Sequence, residues 1–375
     1  MADAMSGERV RPAAAPKRSL GAVVWIVVVV AVLGAIAYHA RMGAVSPRIA
    51  NPEVTGVPRP VEFRYGNDFP VYQMQWGTVG MVLVLIAVCV RAWIRRPGHP
   101  YVLMVLAATG IVWQDPIMNW APYAVYNPQL WHWPEDWPLV RLSPTVEPFV
   151  VIGYASFYFV VPFFTSSWIL GRLQAGASAD AFVWRRPLVS LGLLLFGVGF
   201  VFDAILEIFS VHAGLYIYSQ VIPWGSLFAG TTFQFPLIWE SALVTVVMIP
   251  AGILCHRDDT GRTQAEKLAQ RFRWLPDRPA LGTFLMMFAI LNAAYFLYGA
   301  GFAAIRASGL ATAVACPYPY PEAKVYDPQG YYEREGAPGP YFEGHWNRWM
   351  TAQPNGRPAV NPVKADARCR PDDGA

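Results

Sequence analysis

The sequence predicts an all-α integral membrane protein, a bundle of about seven transmembrane helices with an aromatic extracytoplasmic loop and a C-terminal tail rich in proline and tyrosine. The first observation behind this prediction is composition. Of the 375 residues, 55% are hydrophobic and 14% are charged, against about 25% charged residues in a soluble domain. The second observation is a series of apolar segments close to the length that crosses a bilayer as a helix. The third is an alternation of basic residues between successive connections.

Each of the apolar segments needs about 20 residues to cross the hydrocarbon core. The third segment is short unless it continues to Asn119. The first follows Lys17 and Arg18 and ends near a sequence that resembles a signal-peptide cleavage site. Its apolar run is longer than that of a signal peptide, which favours an uncleaved anchor. The seven segments are residues 20–38, 74–94, 101–114, 149–170, 188–209, 235–255 and 281–305.

Basic residues predict the orientation of the chain. Sixteen lysines and arginines precede the first segment or lie in connections on the same side, and five lie in the alternate connections. Because cytoplasmic connections carry the excess of basic residues, the N-terminus is predicted to be cytoplasmic. The predicted divisions are a cytoplasmic tail at residues 1–19, a seven-helix transmembrane domain at residues 20–305 and an extracytoplasmic, loosely ordered tail at residues 306–375.

The cysteines and histidines argue against a metal centre. Four cysteines and six histidines show none of the spacings that zinc or haem attachment requires, so no metal and no cofactor are expected. If the tail is outside, Cys316 and Cys369 could form a disulfide, although two free thiols fit equally well. No basic domain points to nucleic acid. The predicted partners are the lipid bilayer and a hydrophobic small molecule, and the oligomeric state is not indicated.

Five acidic residues lie within or at the ends of the predicted spans. An ionisable side chain there costs about 2.5 to 3.5 kcal/mol on insertion scales, so each one asks for a reason. The alternating direction of the spans places all five at a similar depth, towards the outer face. They are Asp115, Glu147, Asp203, Glu207 and Glu240.

Asp203 and Glu207 are four residues apart and therefore project from one face of their helix, with about 6 Å between them. Neighbouring carboxyl groups in a poorly solvated place cannot both ionise cheaply, so one should hold its proton near neutral pH. That is the profile of a general acid. The alternative is structural: these acids would bond neighbouring helices through serine, asparagine or tyrosine.

The connection between the third and fourth segments, residues 113–138, contains five tryptophans and several asparagines and tyrosines. Such a loop could cover a site, where aromatic faces stabilise a developing cation. Tryptophans of an interfacial belt are the alternative. The residues predicted to contact substrate from this loop are Asn119, Trp120, Tyr123 and Asn127, together with Glu147.

The connection after the fifth segment adds two further candidates for substrate contact, His212 and Tyr216. His212 follows Glu207 closely and could shuttle a proton. A histidine at a helix end is also a common cap, and that alternative stays open.

An Asp-Pro pair with spaced asparagine and tyrosine residues precedes the tryptophan-rich loop, and an acidic stretch follows at residues 202–218. This combination resembles the AveC family of spirocyclases, membrane-associated actinobacterial proteins, over roughly residues 70–305. The residues that carry the resemblance in the first part are Asp115, Pro116, Asn119, Tyr123 and Asn127.

The resemblance implies closure of a dihydroxy ketone into a spiroketal, with dehydration as a second activity. This chemistry needs a carboxylic acid, a carboxylate, aromatic walls and exclusion of water. The hypothesis is a bacterial, multi-pass cyclase or dehydratase acting on a hydrophobic polyketide-like or lipid hydroxy-ketone. Asp203 and Glu207 would be the acid and base pair, with Asp115 and Glu240 in support. The competing interpretation is a lipid-binding or transport subunit that uses the carboxylates as a proton or substrate path.

Overall fold

The computed structural model describes residues 69–315, apart from residues 120–123, 128–129, 135–138, 141–142, 144–145, 274 and 309, together with residues 27 and 30. The chain divides into two compact units, residues 1–40 and 41–375. Residues 69–315 belong to the second unit. The first predicted segment, apart from Val27 and Val30, lies outside the described residues, as do the N-terminal tail, Cys316 and Cys369.

Six helices among the described residues are long and apolar enough to cross a membrane. They coincide with the second to seventh predicted segments, which confirms a helical protein of the multi-pass membrane class. The third predicted segment does continue, and it reaches Met118. The count of seven stays a prediction. The six spans are Tyr72–Arg95, Pro100–Met118, Phe149–Ala175, Pro187–His212, Leu237–Cys255 and Pro279–Ile305.

The helices are numbered in chain order. A change of helix type or a break occurs within three of the spans, Pro100–Met118, Phe149–Ala175 and Leu237–Cys255. The α-helices are α1 (Phe69–Arg95), α2 (Pro100–Gly110), α3 (Asp115–Met118), α4 (Val161–Ala175), α5 (Phe182–Arg185), α6 (Pro187–His212), α7 (Leu237–Leu243), α8 (Thr245–Cys255), α9 (Gln264–Arg271) and α10 (Pro279–Ala307). The 3-10 turns Ile111–Gln114 and Phe149–Gly153 and the π-helix Ser156–Val160 complete the spans.

Two small antiparallel sheets, which the all-α prediction does not include, lie in connections between the helices and after the last one. Strand β1 (Ala124–Tyr126) pairs with β2 (Tyr216–Tyr218), and β3 (Gln220–Val221) pairs with β4 (Ala313–Val314). All three residues of β2 are buried. Buried backbone groups need hydrogen-bond partners, and connections that converge at one end of the bundle supply them to each other. The fold is therefore helical, and the two small sheets lie at the end of the bundle where these connections meet. This end is called the site end.

Close packing of the spans depends on glycine at two crossings. A Cβ atom built on Gly299 of α10 would lie 2.3 Å from atoms of Met118, and one on Gly252 of α8 would lie 2.6 Å from Leu195 of α6. Small residues let helices in a membrane approach closely. The Gly299 contact sets α10 directly against α3, and this places Tyr295 within reach of Asp115.

The span Phe149–Ala175 widens into a π-helix at Ser156–Val160. Pro162 lies two residues after it, and since proline has no N–H it cannot donate to the carbonyl four residues earlier. The rings of Tyr154 and Tyr158 make an edge-to-face contact here, with 5.0 Å between their centroids. Single π-turns of this kind are frequent at functional sites.

The span Leu237–Cys255 is broken between α7 and α8 at Val244. There the Thr245 hydroxyl donates to the Ala242 carbonyl at 2.6 Å, a side-chain bond that bends helices. Glu240, in the first turn of α7, faces Asp203 and Glu207 of α6 and Tyr298 of α10.

Candidate active site

Three carboxyl groups meet inside the site end of the bundle. Asp203 and Glu207 lie one turn apart on α6, and Glu240 comes from α7. One oxygen of each lies within 4.8 Å of one oxygen of both others. Asp203 is 0% exposed and Glu240 is 4% exposed. These residues are called the three-carboxyl cluster.

The hydrogen-bond donors of the three-carboxyl cluster are neutral hydroxyl groups. Tyr218 donates its hydroxyl to Glu207 at 2.7 Å, and Tyr298 donates to Glu240 at 2.7 Å. Tyr216 also interacts with Glu207, and the Ser241 hydroxyl lies close enough to interact with Asp203. Neutral donors alone stabilise three neighbouring negative charges poorly.

Asp115, in contrast, is surrounded by donors. One of its oxygens accepts hydrogen bonds from the hydroxyls of Tyr154 and Tyr295, the latter at 2.8 Å. Its other oxygen accepts from the Asn119 amide nitrogen at 3.0 Å. The two tyrosine hydroxyls are 3.1 Å apart. Asp115 and these three donors are called the Asp115 centre.

Glu147 lies next to the Asp115 centre, in the connection that enters the span Phe149–Ala175, and is 2% exposed. Burial, and after it the negative charge of Asp115, raises the pKa of Glu147 well above its usual range, although Ser143 acts in the opposite direction. Glu147 therefore retains a proton at pH values where a solvated glutamate has lost it.

Helix α10 connects the two sets of carboxyl groups. Tyr295 reaches Asp115, and Tyr298, one turn later, reaches Glu240. The two tyrosine rings stack with 5.6 Å between their centroids and 23° between their planes. Tyr158 packs edge-on against Tyr295 at 5.8 Å. The site is therefore continuous, with carboxyl groups at both ends and tyrosines between them.

Positive side chains do not neutralise these carboxyl groups in the part of the chain that the structure describes. The ion pairs formed there, Arg96 with Glu266 and Lys267 with Asp258, lie at the opposite end of the bundle. Buried carboxyl groups must then be offset by retained protons or by a bound cation. The three-carboxyl cluster could hold a cation that prefers oxygen ligands, such as Mg²⁺. The spacings of cysteine and histidine residues do not indicate a site of this kind, because its ligands are carboxylate oxygens.

Among the residues predicted to contact substrate, Asn119, Glu147 and Tyr216 lie at the site. Asn119 binds Asp115, and Tyr216 interacts with Glu207 and packs its ring 5.3 Å from that of Tyr126. Trp120 and Tyr123 lie outside the described residues.

Two other residues predicted to contact substrate, Asn127 and His212, instead make contacts that support the fold. The Asn127 side chain donates to the Gly214 carbonyl at 2.9 Å and so ties the two connections together. The Nδ1 atom of His212 lies 2.8 Å from the Ile208 carbonyl of its own helix, and its ring stacks on Phe233. These surroundings favour the capping interpretation of His212 over a proton shuttle.

The described part of the aromatic loop is hydrogen-bonded to the start of the span that follows it. The Trp133 N–H donates to the Glu147 carbonyl at 3.0 Å, and the Phe149 N–H donates to the Trp131 carbonyl at 2.7 Å. Trp131 also packs edge-on against Trp76 of α1 at 4.9 Å. The described part of the loop thus lies beside Glu147.

The sequence reasoning missed the tyrosines that surround the carboxyl groups. A signal for them existed, because two pairs occur inside spans at helical spacing, three or four residues apart. A tyrosine hydroxyl in an apolar span needs a hydrogen-bond partner, and a buried acid is a suitable one. The missed residues are Tyr154, Tyr158, Tyr295 and Tyr298.

The fold and the site together define a helical membrane protein with a buried set of carboxyl and tyrosine side chains at one end of its bundle. A family model described as spirocyclase AveC-like matches residues 93–326, more than half of the chain. The chain belongs to this family, and the resemblance inferred from the sequence is confirmed. The matched region contains all the carboxyl groups of the site. No curated protein and no solved structure matches the chain.

Proposed function

We propose that this protein closes a hydrophobic dihydroxy ketone into a spiroketal by acid–base catalysis inside the membrane, with dehydration of the same class of substrate as a related activity. Membership of the spirocyclase family supports spirocyclase-like chemistry in general. The observation that carries the proposal is the meeting of Asp203, Glu207 and Glu240, buried and within 4.8 Å of each other.

The chemistry matches the groups present. A ketone accepts a proton as one hydroxyl adds to its carbon, water then leaves to give an oxocarbenium ion, and the second hydroxyl captures this ion. A carboxylic acid in apolar surroundings is suited to the first protonation. Tyrosine rings offer a negative face to the cation, and a buried site keeps bulk water from capturing it.

The position of the site supports a hydrophobic class of substrate. All the carboxyl groups are within or directly next to spans, so a reactant has to be soluble in the bilayer to reach them. A polyketide-like or lipid chain bearing two hydroxyls and one ketone satisfies this requirement. The roof of the site would be formed by the aromatic loop.

The test is turnover by the full chain in lipid nanodiscs, with a synthetic long-chain dihydroxy ketone as the substrate. We expect a single spiroketal stereoisomer, whereas uncatalysed closure gives a mixture. The variants Asp115→Asn, Asp203→Asn, Glu207→Gln and Glu240→Gln keep size and remove the acid. Loss of acid–base catalysis by one group lowers the rate by about 10²-fold or more.

The matched control is Asp180→Asn, the same change at an exposed residue outside the spans, which should leave the rate unchanged. Full activity in all four site variants would overturn the catalytic assignment. Metabolites from cells with and without the protein give a second test. If the protein changes only where one compound accumulates, and no new product skeleton forms, the result would favour a transport function over an enzyme.

A further inference from the structure

We infer that the end of the bundle opposite the site carries a surface that binds the headgroup of an anionic phospholipid. This surface combines exposed arginines with apolar side chains that are also exposed. It is called the arginine surface, and its arginines are Arg91, Arg95, Arg271, Arg273 and Arg278. The inference concerns a lipid partner of the protein and does not depend on the proposed function.

Two segments of the chain meet at the arginine surface. Arg96, directly after α1, pairs with Glu266 of α9 at 3.2 Å. The turn that follows packs against the start of α10, because a Cβ atom built on Gly98 would lie 2.8 Å from the Cβ atom of Ala280. These two contacts place the end of α1 beside the connection from α9 to α10, residues 272–278.

The arginines of this surface are available to bind an anion. All of them are exposed, and none forms an ion pair with another described residue. The chain between α8 and α10 contains four acids. Two of these form ion pairs with other basic residues, and the other two, Asp259 and Asp277, are exposed. The arginines outnumber these two acids, so the surface has an excess of positive charge.

Exposed apolar side chains lie next to the arginines on both segments. Phe272, between Arg271 and Arg273, is 61% exposed, and Leu275 and Ile94 are also exposed. Apolar side chains of this kind enter the boundary between lipid headgroups and acyl chains, while arginine side chains extend towards the phosphates. A soluble anion would use only the arginines. The combination therefore favours a phospholipid as the partner.

A headgroup with a net negative charge matches the arginines chemically. A guanidinium group can donate to two phosphate oxygens at once, and it is more weakly hydrated than the ammonium group of lysine. Phosphatidylglycerol has a net negative charge, whereas phosphatidylcholine carries the same phosphate together with a positive choline group that arginines repel. One basic residue near an anionic membrane surface strengthens binding about fivefold. The surface should therefore prefer phosphatidylglycerol.

Photo-crosslinking tests this preference and locates the bound lipid. The full chain is placed in phosphatidylcholine nanodiscs with a small fraction of phosphatidylglycerol that carries a photoactivatable group close to its headgroup. Labelled peptides are identified by mass spectrometry. We expect residues 91–98 and 271–280 to be labelled about tenfold or more above the level given by a phosphatidylcholine reagent of the same design. Equal labelling by the two reagents overturns the inference.

The triple variant Arg271→Gln, Arg273→Gln and Arg278→Gln removes three of the positive charges. We expect its labelling at residues 271–280 to fall about tenfold or more, because each charge contributes about fivefold. Residues 182–186 are an internal reference, since they also present exposed arginine and aromatic side chains at this end of the bundle. An equal fall at residues 182–186 would assign the effect to the total charge of this end and overturns the inference.

The matched control is the same triple change to lysine, which keeps the charge and should keep labelling within about threefold of the wild type. Unlabelled phosphatidylglycerol should displace the reagent, and excess inorganic phosphate should not. Displacement by phosphate would assign the surface to a soluble anion and overturns the lipid partner. The single variant Arg273→Gln, with an expected loss of about fivefold, answers the same question if the triple variant does not fold. These readouts do not require turnover, so the proposed function can fail while this inference stands.

Discussion

At the end of the bundle away from the site, Asp258 pairs with Lys267 at 2.5 Å and Glu266 pairs with Arg96 at 3.2 Å. Glu266 also completes a capping box with Thr263 at the start of α9. At the site end, the buried carboxyl groups have tyrosines and an asparagine as partners and, among the described residues, no cation. The acids at the end away from the site form ion pairs and a helix cap that stabilise the fold. The acids at the site end are buried without a positive partner among the described residues.

The pKa values outside the spans show the same contrast. The hydrogen bond with Lys267, and then that with Thr260, lowers the pKa of Asp258 below its usual range, whereas burial raises that of Glu147. An acid whose pKa falls on folding stabilises the fold at neutral pH, and one whose pKa rises does the opposite. A buried acid that lowers stability in this way is more typical of a functional site than of a structural one.

The largest effect is expected from Asp203→Leu, which replaces a fully buried carboxyl group with an apolar side chain. Removing a buried carboxyl group that has no positive side chain beside it among the described residues should stabilise the fold by about 1 to 3 kcal/mol, while activity is lost. Glu266→Leu should do the reverse, because it removes the capping box, a loss of about 0.5 to 2 kcal/mol, and leaves the site intact. Unfolding in detergent and turnover are measured on both variants. Loss of stability in Asp203→Leu would contradict the comparison.

The next effect is a pH dependence at Glu147. Its folded pKa lies above the unfolded value, about 4.3 for a solvated glutamate, so the folded state binds the proton more tightly. Stability of the wild-type protein should therefore fall as the pH rises from that value through the folded pKa. Glu147→Gln cannot ionise and should gain melting temperature relative to the wild type over this range. A difference between the two proteins that is constant with pH would show that Glu147 does not titrate as described.

The smallest effect is expected from the surface pair at the opposite end. Arg96 is half exposed, with 51% of its side chain accessible, and such pairs contribute about 0 to 1 kcal/mol. Arg96→Met should lower the free energy of unfolding by no more than this amount at low salt. The difference should vanish in high salt, where surface charges are screened. A loss that persists in high salt would mean that Arg96 supports the fold by packing.

Much of the fold follows from hydropathy, because six spans must satisfy their backbone inside the bilayer as helices. The helical period also determines that Asp203 and Glu207 share one face of α6. The predictions for the first segment and for the tails fall mostly on residues that the structure does not describe. The predicted orientation of the chain refers to a membrane, which the structure does not include. These expectations therefore stay predictions.

The sequence by itself determined the membrane class, the positions of six spans, the family and the acids that lie within or beside those spans. Only the tertiary structure decided that Glu240 joins Asp203 and Glu207, that Asp115 receives three donors, and that Asn127 and His212 bind backbone carbonyls. The physical reason is that spans apolar on every side do not specify their own rotation. Local close contacts, such as that of Gly299 with Met118, set which polar side chains meet.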